Sequence, residues 1–164
     1  MIRHLFAAAT IAVTMLASPA SIVASSAQGV NPLSKLAGSW SGSGTAHFKG
    51  GQSERLTCRG HYTVKDGGAG IGIALRCASS SAKIDLRSLL NYQAGRVSGS
   101  WEERTFNAAG GVSGRASNGS MRLAIGGSGL SGSMSVSFSD SSQSVSINTS
   151  GTGLKVVSIS MRRG

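Results

Sequence analysis

Alternation of apolar and polar residues runs through most of the chain after residue 36. Between Arg55 and Cys77, the apolar residues occupy even positions before Asp66-Gly67-Gly68 and odd positions after it. Period-two alternation is typical of a half-buried β-strand, and glycines between two such runs indicate a tight turn. This stretch therefore predicts a β-hairpin.

The register of the hairpin brings the two cysteines of the chain together. A turn centred between Gly67 and Gly68 places Cys58 directly opposite Cys77, and the sequence has no other cysteine. Opposed residues on antiparallel strands have Cα atoms about 4.5–5.5 Å apart, which a disulfide can span. We predict one structural disulfide, with two buried free thiols as the alternative.

The same alternation predicts about ten strands joined by short turns. Asn118-Gly119 is the strongest two-residue hairpin signal and places Ala116 opposite Met121. The other predicted pairs are Trp101 with Ala116, Ile125 with Leu130 and Phe138 with Val145. The predicted strands are 37–49, 53–65, 69–78, 82–90, 95–106, 111–117, 120–126, 130–139, 143–149 and 154–162. A twisted meander of this size removes its edges by closing, so we predict an all-β, antiparallel up-and-down barrel.

One face of the predicted strands is apolar. The residues predicted to face inward are Trp40, Phe48, Leu56, Tyr62, Val64, Ile71, Ile73, Leu75, Val97, Trp101, Met121, Leu123, Ile125, Met134, Val136, Phe138 and Ile147. Glycines such as Gly60 and Gly114 interrupt this face. They indicate either strands that curl tightly or an interior with a cavity.

The first 27 residues have the organisation of a secretory signal peptide. A basic start with Arg3 and His4 precedes an apolar run over 5–17 and small residues up to Ala27. That run is shorter than the roughly 20 residues of a membrane-spanning helix. We predict cleavage after Ala27, with Ala20 as the competing site, and a periplasmic or secreted product. The predicted organisation is a signal peptide over 1–27, a flexible lead-in over 28–35 and a single barrel domain over 36–164.

Basic residues outnumber acidic ones. The sequence has 16 Lys and Arg against 6 Asp and Glu, a formal net charge of +10 at pH 7, and loss of Arg3 leaves +9. Such a charge favours anionic partners, which after export are phospholipid or lipopolysaccharide head groups or acidic polysaccharide. No nucleic acid is expected as a partner. The alternative is that the charge only keeps a serine- and glycine-rich barrel soluble.

The first predicted strand resembles that of a known group of barrels. Gly38-Ser39-Trp40 resembles the G-x-W signature of calycins, which include the lipocalins and the fatty-acid-binding proteins. The longer pattern, with Gly42 and Gly44, is similar to the opening of nitrobindins, which are ten-stranded haem-binding barrels. The resemblance implies that Trp40 packs across one end of the barrel and that the interior holds a small apolar ligand.

Two departures limit what the resemblance implies. Nitrobindin-type haem binding needs an axial His late in the chain, and no His follows His61. The carboxylate-binding pattern of fatty-acid-binding proteins is not recognisable in the C-terminal VVSISMRRG. We therefore expect no cofactor. The opening Leu36-x-Gly38-x-Trp40 is also similar to Inh-type periplasmic protease inhibitors, which carry one early disulfide, so a protein-binding inhibitor is the alternative function.

Residues that could carry catalysis or hold a metal are sparse. His47 and His61 face outward and lack a Cys or carboxylate at metal-ligand spacing, so no metal site is predicted. No inward-facing His is available as a base for a Ser or Thr nucleophile. Gly127–Gly132 reads G-x-G-x-x-G, but a strand follows it where a dinucleotide site needs a helix. We predict no catalytic residues and a protein that is not an enzyme.

The candidate binding residues fall into an interior group and a basic surface group. The interior group is Trp40, Tyr62, Trp101 and Glu103. Glu103 either orients a ligand at the barrel mouth or ends its strand at a wet rim. The surface group is Lys49, Arg55, Arg59, His61, Lys65, Arg76, Arg115 and Arg122. Its arginines oppose one another in two hairpins, an arrangement that destabilises a sheet and so indicates anion binding, with solvated, salt-screened charge as the alternative.

A barrel that spans a membrane also has alternating strands. The mature chain has only seven aromatic residues, too few for two interfacial girdles, and several predicted strands are shorter than the required 9–11 or so residues. We expect a protein that does not span the membrane. The predicted function is that of an exported, non-catalytic β-barrel of the cell envelope, which binds a small apolar or amphiphilic ligand or an anionic envelope component.

Overall fold

The structure, a computed structural model, describes residues 31–164. The predicted signal peptide, over 1–27, lies outside the described residues. The described chain folds into ten strands and two short 3-10 helices. The 3-10 helices are Pro32–Leu36 and Asp66–Gly68, and the strands are β1 Gly38–Phe48, β2 Ser53–Lys65, β3 Gly70–Ala78, β4 Lys83–Gln93, β5 Arg96–Glu103, β6 Ala108–Ser117, β7 Ser120–Gly127, β8 Leu130–Phe138, β9 Ser142–Ser150 and β10 Leu154–Arg163.

The ten strands form one closed barrel. Each strand pairs antiparallel with its neighbours in the chain, and β1 pairs with β10 to complete the circle. The predicted all-β, up-and-down barrel is therefore confirmed. Cys58 on β2 lies opposite Cys77 on β3 with a Cα separation of 4.1 Å, and the two form a disulfide, as the hairpin register predicted.

Three predicted registers differ from the observed ones. The observed pairs are Trp101 with Gly110, Ile125 with Gly132 and Phe138 with Gln143, in place of Ala116, Leu130 and Val145. At the β7–β8 turn, Ser128 and Gly129 take positive φ values of 50° and 75°, so the turn lies one residue beyond the predicted Gly127-Ser128. Each displacement moves the partner by an even number of residues, and the same face therefore stays inward.

The inward-facing apolar side chains form a single core. All but one of the residues predicted to face inward belong to this core or pack against it. The exception is Val64, which is 43% exposed. The first residue of β1, Gly38, pairs with Tyr62, so β2 extends past the start of β1 and Val64 lacks a neighbour on that side.

Glycines at inward positions allow neighbouring strands to approach closely. A Cβ on Gly114 would collide with the backbone carbonyl of Arg122, and one on Gly99 would collide with the carbonyl of Leu89. Neither site has room for a side chain. Of the two interpretations drawn from the sequence, tight curling of the strands is the one that applies at these positions.

The 3-10 helix Pro32–Leu36 closes one end of the barrel. Leu33 and Leu36 are 0% and 1% exposed and belong to the core. The Asn31 side chain accepts a hydrogen bond from the Leu33 N–H at 2.9 Å and donates one to the Gly68 carbonyl at 2.8 Å. This end, which also holds the β2–β3, β4–β5, β6–β7 and β8–β9 connections, is called the closed end below.

The predicted lead-in over 28–35 overlaps this 3-10 helix. Pro32 and Leu33 are buried, and Lys35 donates to Asn118 Oδ1 at 3.1 Å. The described part of the segment therefore packs against the barrel.

Candidate functional site

The apolar interior is accessible in the half of the barrel opposite the closed end. Most inward-facing side chains beside the 3-10 helix are buried, with Tyr92 partly buried, whereas most of those near the β1–β2, β5–β6 and β9–β10 connections are only partly buried. The partly buried set includes Phe48, Leu75, Ile84, Trp101, Ile125, Met134, Ile147 and Leu154. These side chains face inward, so this end of the core is less completely covered than the closed end. We call this region the open half and its rim the mouth.

Trp101 contributes a polar group to the open half. Its indole lies over Gly110 of the neighbouring strand, where an added Cβ would be 2.8 Å from the indole Nε1. The Nε1 atom is buried and has no hydrogen-bond partner among residues 31–164. A buried indole N–H usually finds a partner. Trp101 therefore has a buried indole N–H without an acceptor among the described residues.

Trp40 and Tyr62 belong to the closed end. Trp40 is 2% exposed and its Nε1 donates to the Leu36 carbonyl at 2.8 Å, while Tyr62 is 4% exposed, with its ring centroid 6.4 Å from that of Trp40. Burial raises the pKa of Tyr62 to about 12, although a hydrogen bond from the Gln143 amide opposes the shift. The structure thus separates these two residues from Trp101, with which the sequence grouped them.

The carboxylate of Glu103 binds backbone N–H groups of β4 and of the β5–β6 loop. Its Oε1 accepts from the N–H of Asp85 at 2.8 Å and of Thr105 at 3.1 Å, and its Oε2 accepts from the N–H of Phe106 at 2.7 Å. Burial raises the pKa of Glu103, but these hydrogen bonds outweigh it and hold the pKa below its usual value. Glu103 was predicted either to orient a ligand at the barrel mouth or to end its strand at a wet rim. These hydrogen bonds correspond to the second role.

The loop that Glu103 holds presents an aromatic side chain at the mouth. Phe106 is 63% exposed, the largest value among the exposed large apolar residues of the described chain. It lies between β5 and β6, at the open end of the barrel. A single exposed apolar residue is common on protein surfaces, and its relevance here is its place at the mouth.

The predicted basic surface falls on two walls of the barrel. The first wall is formed by β2, β3 and the adjoining turns and carries Lys49, Arg55, Arg59, His61, Lys65 and Arg76. The second wall carries Arg115 on β6 and Arg122 on β7. The opposed pairs Arg59–Arg76 and Arg115–Arg122 occur as predicted. On the first wall, Asp85 lies 3.4 Å from Arg76 and 3.1 Å from Arg87, which partly compensates the charge.

A depression of about 670 Å³ lies on the outer surface of β1, β8, β9 and β10. Serine is the most frequent residue in its lining, and the outward-pointing serines include Ser41, Ser43, Ser137, Ser144 and Ser160. The apolar side chains of the lining, Phe138 and Met161, are buried and face the barrel interior, so serine dominates the side chains that a small molecule would meet there. We therefore place the candidate site in the open half of the barrel interior and not in this depression.

Within residues 31–164, no group of three or more His, Cys, Asp and Glu side chains is arranged to hold a metal ion. No helix in the same range is long and apolar enough to cross a membrane.

Several residues of the site and its surroundings were not identified from the sequence. Arg96 lies opposite Arg115 and extends the second basic wall to β5. The strand that holds Arg96 was predicted, but the predicted β5–β6 register did not place Arg96 opposite Arg115. The exposed Phe106 falls within the predicted strand 95–106, although it lies in the loop that follows β5.

No protein-family model matches the chain, and none of the curated proteins matches its sequence. Solved structures do match its fold. Rv2717c from M. tuberculosis has a TM-score of 0.67 and 14% identity, covering 80% of this chain and 94% of its own. The S-type phycobiliprotein lyase CpeS from Guillardia theta has a TM-score of 0.54 and 16% identity, covering 80% of this chain and 89% of its own.

A third structure belongs to a protein of unknown function from the DUF3598 family of Nostoc punctiforme. It has a TM-score of 0.57 and 10% identity, and the match covers 80% of this chain but only 48% of that protein. All three contain ten-stranded antiparallel barrels, which is consistent with a calycin-like fold for this chain. At these identities the likeness concerns the fold alone.

Proposed function

We propose that this protein binds a small apolar or amphiphilic molecule in the open half of its barrel. The observation that carries the proposal is the set of partly exposed apolar side chains there, in contrast with the mostly buried side chains at the closed end. Exposed apolar surface inside a fold is unfavourable in water, and a bound apolar molecule would remove it from solvent. The proposed role is that of a carrier or sensor and not of an enzyme.

Two features of the open half would orient such a ligand. The indole N–H of Trp101, which is buried without an acceptor among residues 31–164, would donate to a ligand if its side chain shifts on binding. The mouth is rimmed by the loop that Glu103 holds, with Phe106 exposed beside the opening. An amphiphile with its apolar part inside and its polar part at the mouth would fit this distribution.

The calycin-like fold supports the proposal by analogy alone. The G-x-W pattern at Gly38-Ser39-Trp40 favours a place among the lipocalin, fatty-acid-binding or nitrobindin types, and one matched structure is a phycobiliprotein lyase. Neither observation names a ligand for this chain, because unrelated functions share folds of this kind.

We further propose that the protein acts after export. The disulfide Cys58–Cys77 suits an oxidising compartment such as the periplasm or the extracellular space. The predicted signal peptide over 1–27 would deliver it there. N-terminal sequencing of the protein recovered from a periplasmic fraction tests this: a start at Gln28 supports export with cleavage after Ala27, and an intact Met1 in the cytoplasm contradicts it.

The first experiment is native mass spectrometry of the protein purified without detergent, followed by titration with the fluorescent apolar probe N-phenyl-1-naphthylamine. A reproducible added mass of roughly a few hundred daltons, the size that such cavities hold, would support the proposal.

The sequence has two tryptophans, Trp40 at the closed end and Trp101 in the open half. Energy transfer to bound probe should therefore fall strongly in Trp101→Phe.

A matched pair of charge variants on β8 locates the site. Met134 faces the open half, and its neighbour Ser135 faces outward. Met134→Glu should abolish probe binding while Ser135→Glu keeps it, provided that circular dichroism shows both variants folded. Equal binding by both variants would place the probe outside the barrel and contradict the proposal. If Met134→Glu does not fold, unchanged energy transfer in Trp101→Phe is the contradicting result.

A further inference from the structure

A row of three arginines crosses the outer face of β5, β6 and β7. Arg96 pairs in register with Arg115, and Arg115 pairs in register with Arg122. All three are exposed, and none forms an ion pair within residues 31–164. We call Arg96, Arg115 and Arg122 the arginine row.

The arginine row is unfavourable for the fold alone. Like charges that lie directly opposite on neighbouring strands destabilise a sheet, and here Arg115 has such a neighbour on both sides. The opposed pair on the first basic wall differs, because one member, Arg76, contacts Asp85 at 3.4 Å. Binding of an anion would relieve the repulsion within this row.

The surface around the row suits a compact, multiply charged anion. The positions beside it are Ser98, Ser113 and Ala124 on one side and Ser117 and Ser120 on the other. These short side chains let a ligand approach the sheet, and the hydroxyl groups add donors. Lys35, held by Asn118 at the tip of the β6–β7 hairpin, brings a further positive charge to the same end.

The same surface is poorly suited to other anionic partners. The outward positions of β5, β6 and β7 hold only Arg, Ser, Ala, Gly and Glu. Proteins that lie on a membrane usually insert apolar side chains, and proteins that bind single-stranded nucleic acid usually stack bases on aromatic ones. Neither kind of side chain occurs on this face.

We propose that the arginine row is a binding site for a soluble anion with two or more closely spaced phosphate groups. Neighbouring strands are about 4.8 Å apart, so three guanidinium groups span roughly 10 Å, which is comparable to a short oligophosphate. Guanidinium groups bind phosphate oxygens through paired, charge-assisted hydrogen bonds. The site lies on the outer wall, near the closed end, and is separate from the proposed interior site.

The test is calorimetric titration of the full-length mature protein with sodium tripolyphosphate at low salt. The triple variant Arg96→Gln, Arg115→Gln, Arg122→Gln is compared with the control Arg55→Gln, Arg59→Gln, Lys65→Gln, which loses the same charge from the first wall. We expect one bound tripolyphosphate, at least about tenfold weaker binding in the first variant and nearly unchanged binding in the control. Equal weakening in both variants, or no binding by the native protein, would overturn the proposal.

Two further measurements distinguish a phosphate-binding site from charge that is only solvated and from a membrane-binding surface. Arg115→Gln alone should raise the melting temperature at low salt and reduce the stabilisation that tripolyphosphate gives, since it removes both repulsive pairs. An unchanged or lower melting temperature would contradict the argument from repulsion. Vesicles containing phosphatidylglycerol are the second probe: binding to vesicles without binding to tripolyphosphate would assign the row to a membrane and overturn the proposal.

Discussion

The guanidinium group of Arg163 lies 4.5 Å from the centre of the Trp40 ring, and it joins the last strand of the barrel to the first. The same group donates to the backbone carbonyl of Lys35 at 2.6 Å and also to those of Ala37 and Asp140. Trp40 in turn donates to the Leu36 carbonyl. Arg163 therefore holds the 3-10 helix against the closed end and connects both ends of the described chain.

Arg163→Ala should lower the free energy of unfolding by about 2 kcal/mol, because it removes a cation–π contact and several hydrogen bonds from a charged donor. Arg163→Lys should restore little, because an ammonium group cannot reach the three carbonyls in the same geometry. Urea denaturation measures both effects. Arg162→Ala is the matched control: its side chain is exposed on the outer face, and a change within about 0.5 kcal/mol is expected. An equal loss in both variants would contradict the role of Arg163.

Stability should fall at high pH because of Tyr62. Tyrosine is neutral when protonated, and its pKa is raised to about 12 in the fold against about 10 in the unfolded chain. The associated stabilisation is complete below pH 10 and is lost as the pH rises to 12, about 2–3 kcal/mol in total. Denaturation between pH 8 and 12 should show a shallower fall for Tyr62→Phe than for the native protein. Parallel curves for the two proteins would show that Tyr62 does not cause the loss.

The carboxylate of Glu103 should stabilise the β5–β6 loop at neutral pH. Glu103→Gln leaves backbone N–H groups without an anionic acceptor, and we expect a loss of about 2–3 kcal/mol at pH 7. The pKa of Glu103 is lowered in the fold, so this stabilisation is present above about pH 4.3 and is lost as the pH falls through the folded pKa.

The difference between Glu103→Gln and the native protein should therefore shrink below pH 4. Glu102→Gln is the control, since Glu102 is exposed and bonded only to Arg104 at 2.9 Å. Such a surface ion pair contributes about 0–1 kcal/mol. A pH-independent cost for Glu103→Gln would contradict the assignment.

The sequence predicted registers correctly where one turn was clearly preferred. Asn118-Gly119 has no competitor nearby, and the pairing of Ala116 with Met121 was confirmed. Around Gly127, Ser128 and Gly129, several turn positions were equally suitable, and the prediction differed by one residue. The alternation of side chains was still preserved, because register errors by even numbers keep each residue on its face. The fold was therefore predictable although several registers were not.

The closed end could be predicted only in part. Asn31 followed by Pro32, with Leu33 and Leu36 three residues apart, is a recognisable start of a short helix. Its hydrogen bonds from Arg163 come from more than a hundred residues away in sequence and have no local signal. Trp40 and Trp101 both face inward in the sequence pattern. Their surroundings differ because the 3-10 helix covers only the closed end, where Trp40 lies.

Phe106 should contribute to ligand affinity without contributing to stability. Its side chain is 63% exposed at the mouth, so Phe106→Ser should leave the melting temperature nearly unchanged. If an amphiphile covers this ring on binding, loss of the contact should weaken binding of N-phenyl-1-naphthylamine by about threefold to tenfold, given the apolar area of a phenyl group. Val64→Ser is the matched control, because Val64 is 43% exposed at the closed end. Equal effects of the two variants on probe affinity would show that binding does not occur at the mouth. A weaker affinity in Phe106→Ser alone would show that the bound probe contacts Phe106 at the mouth.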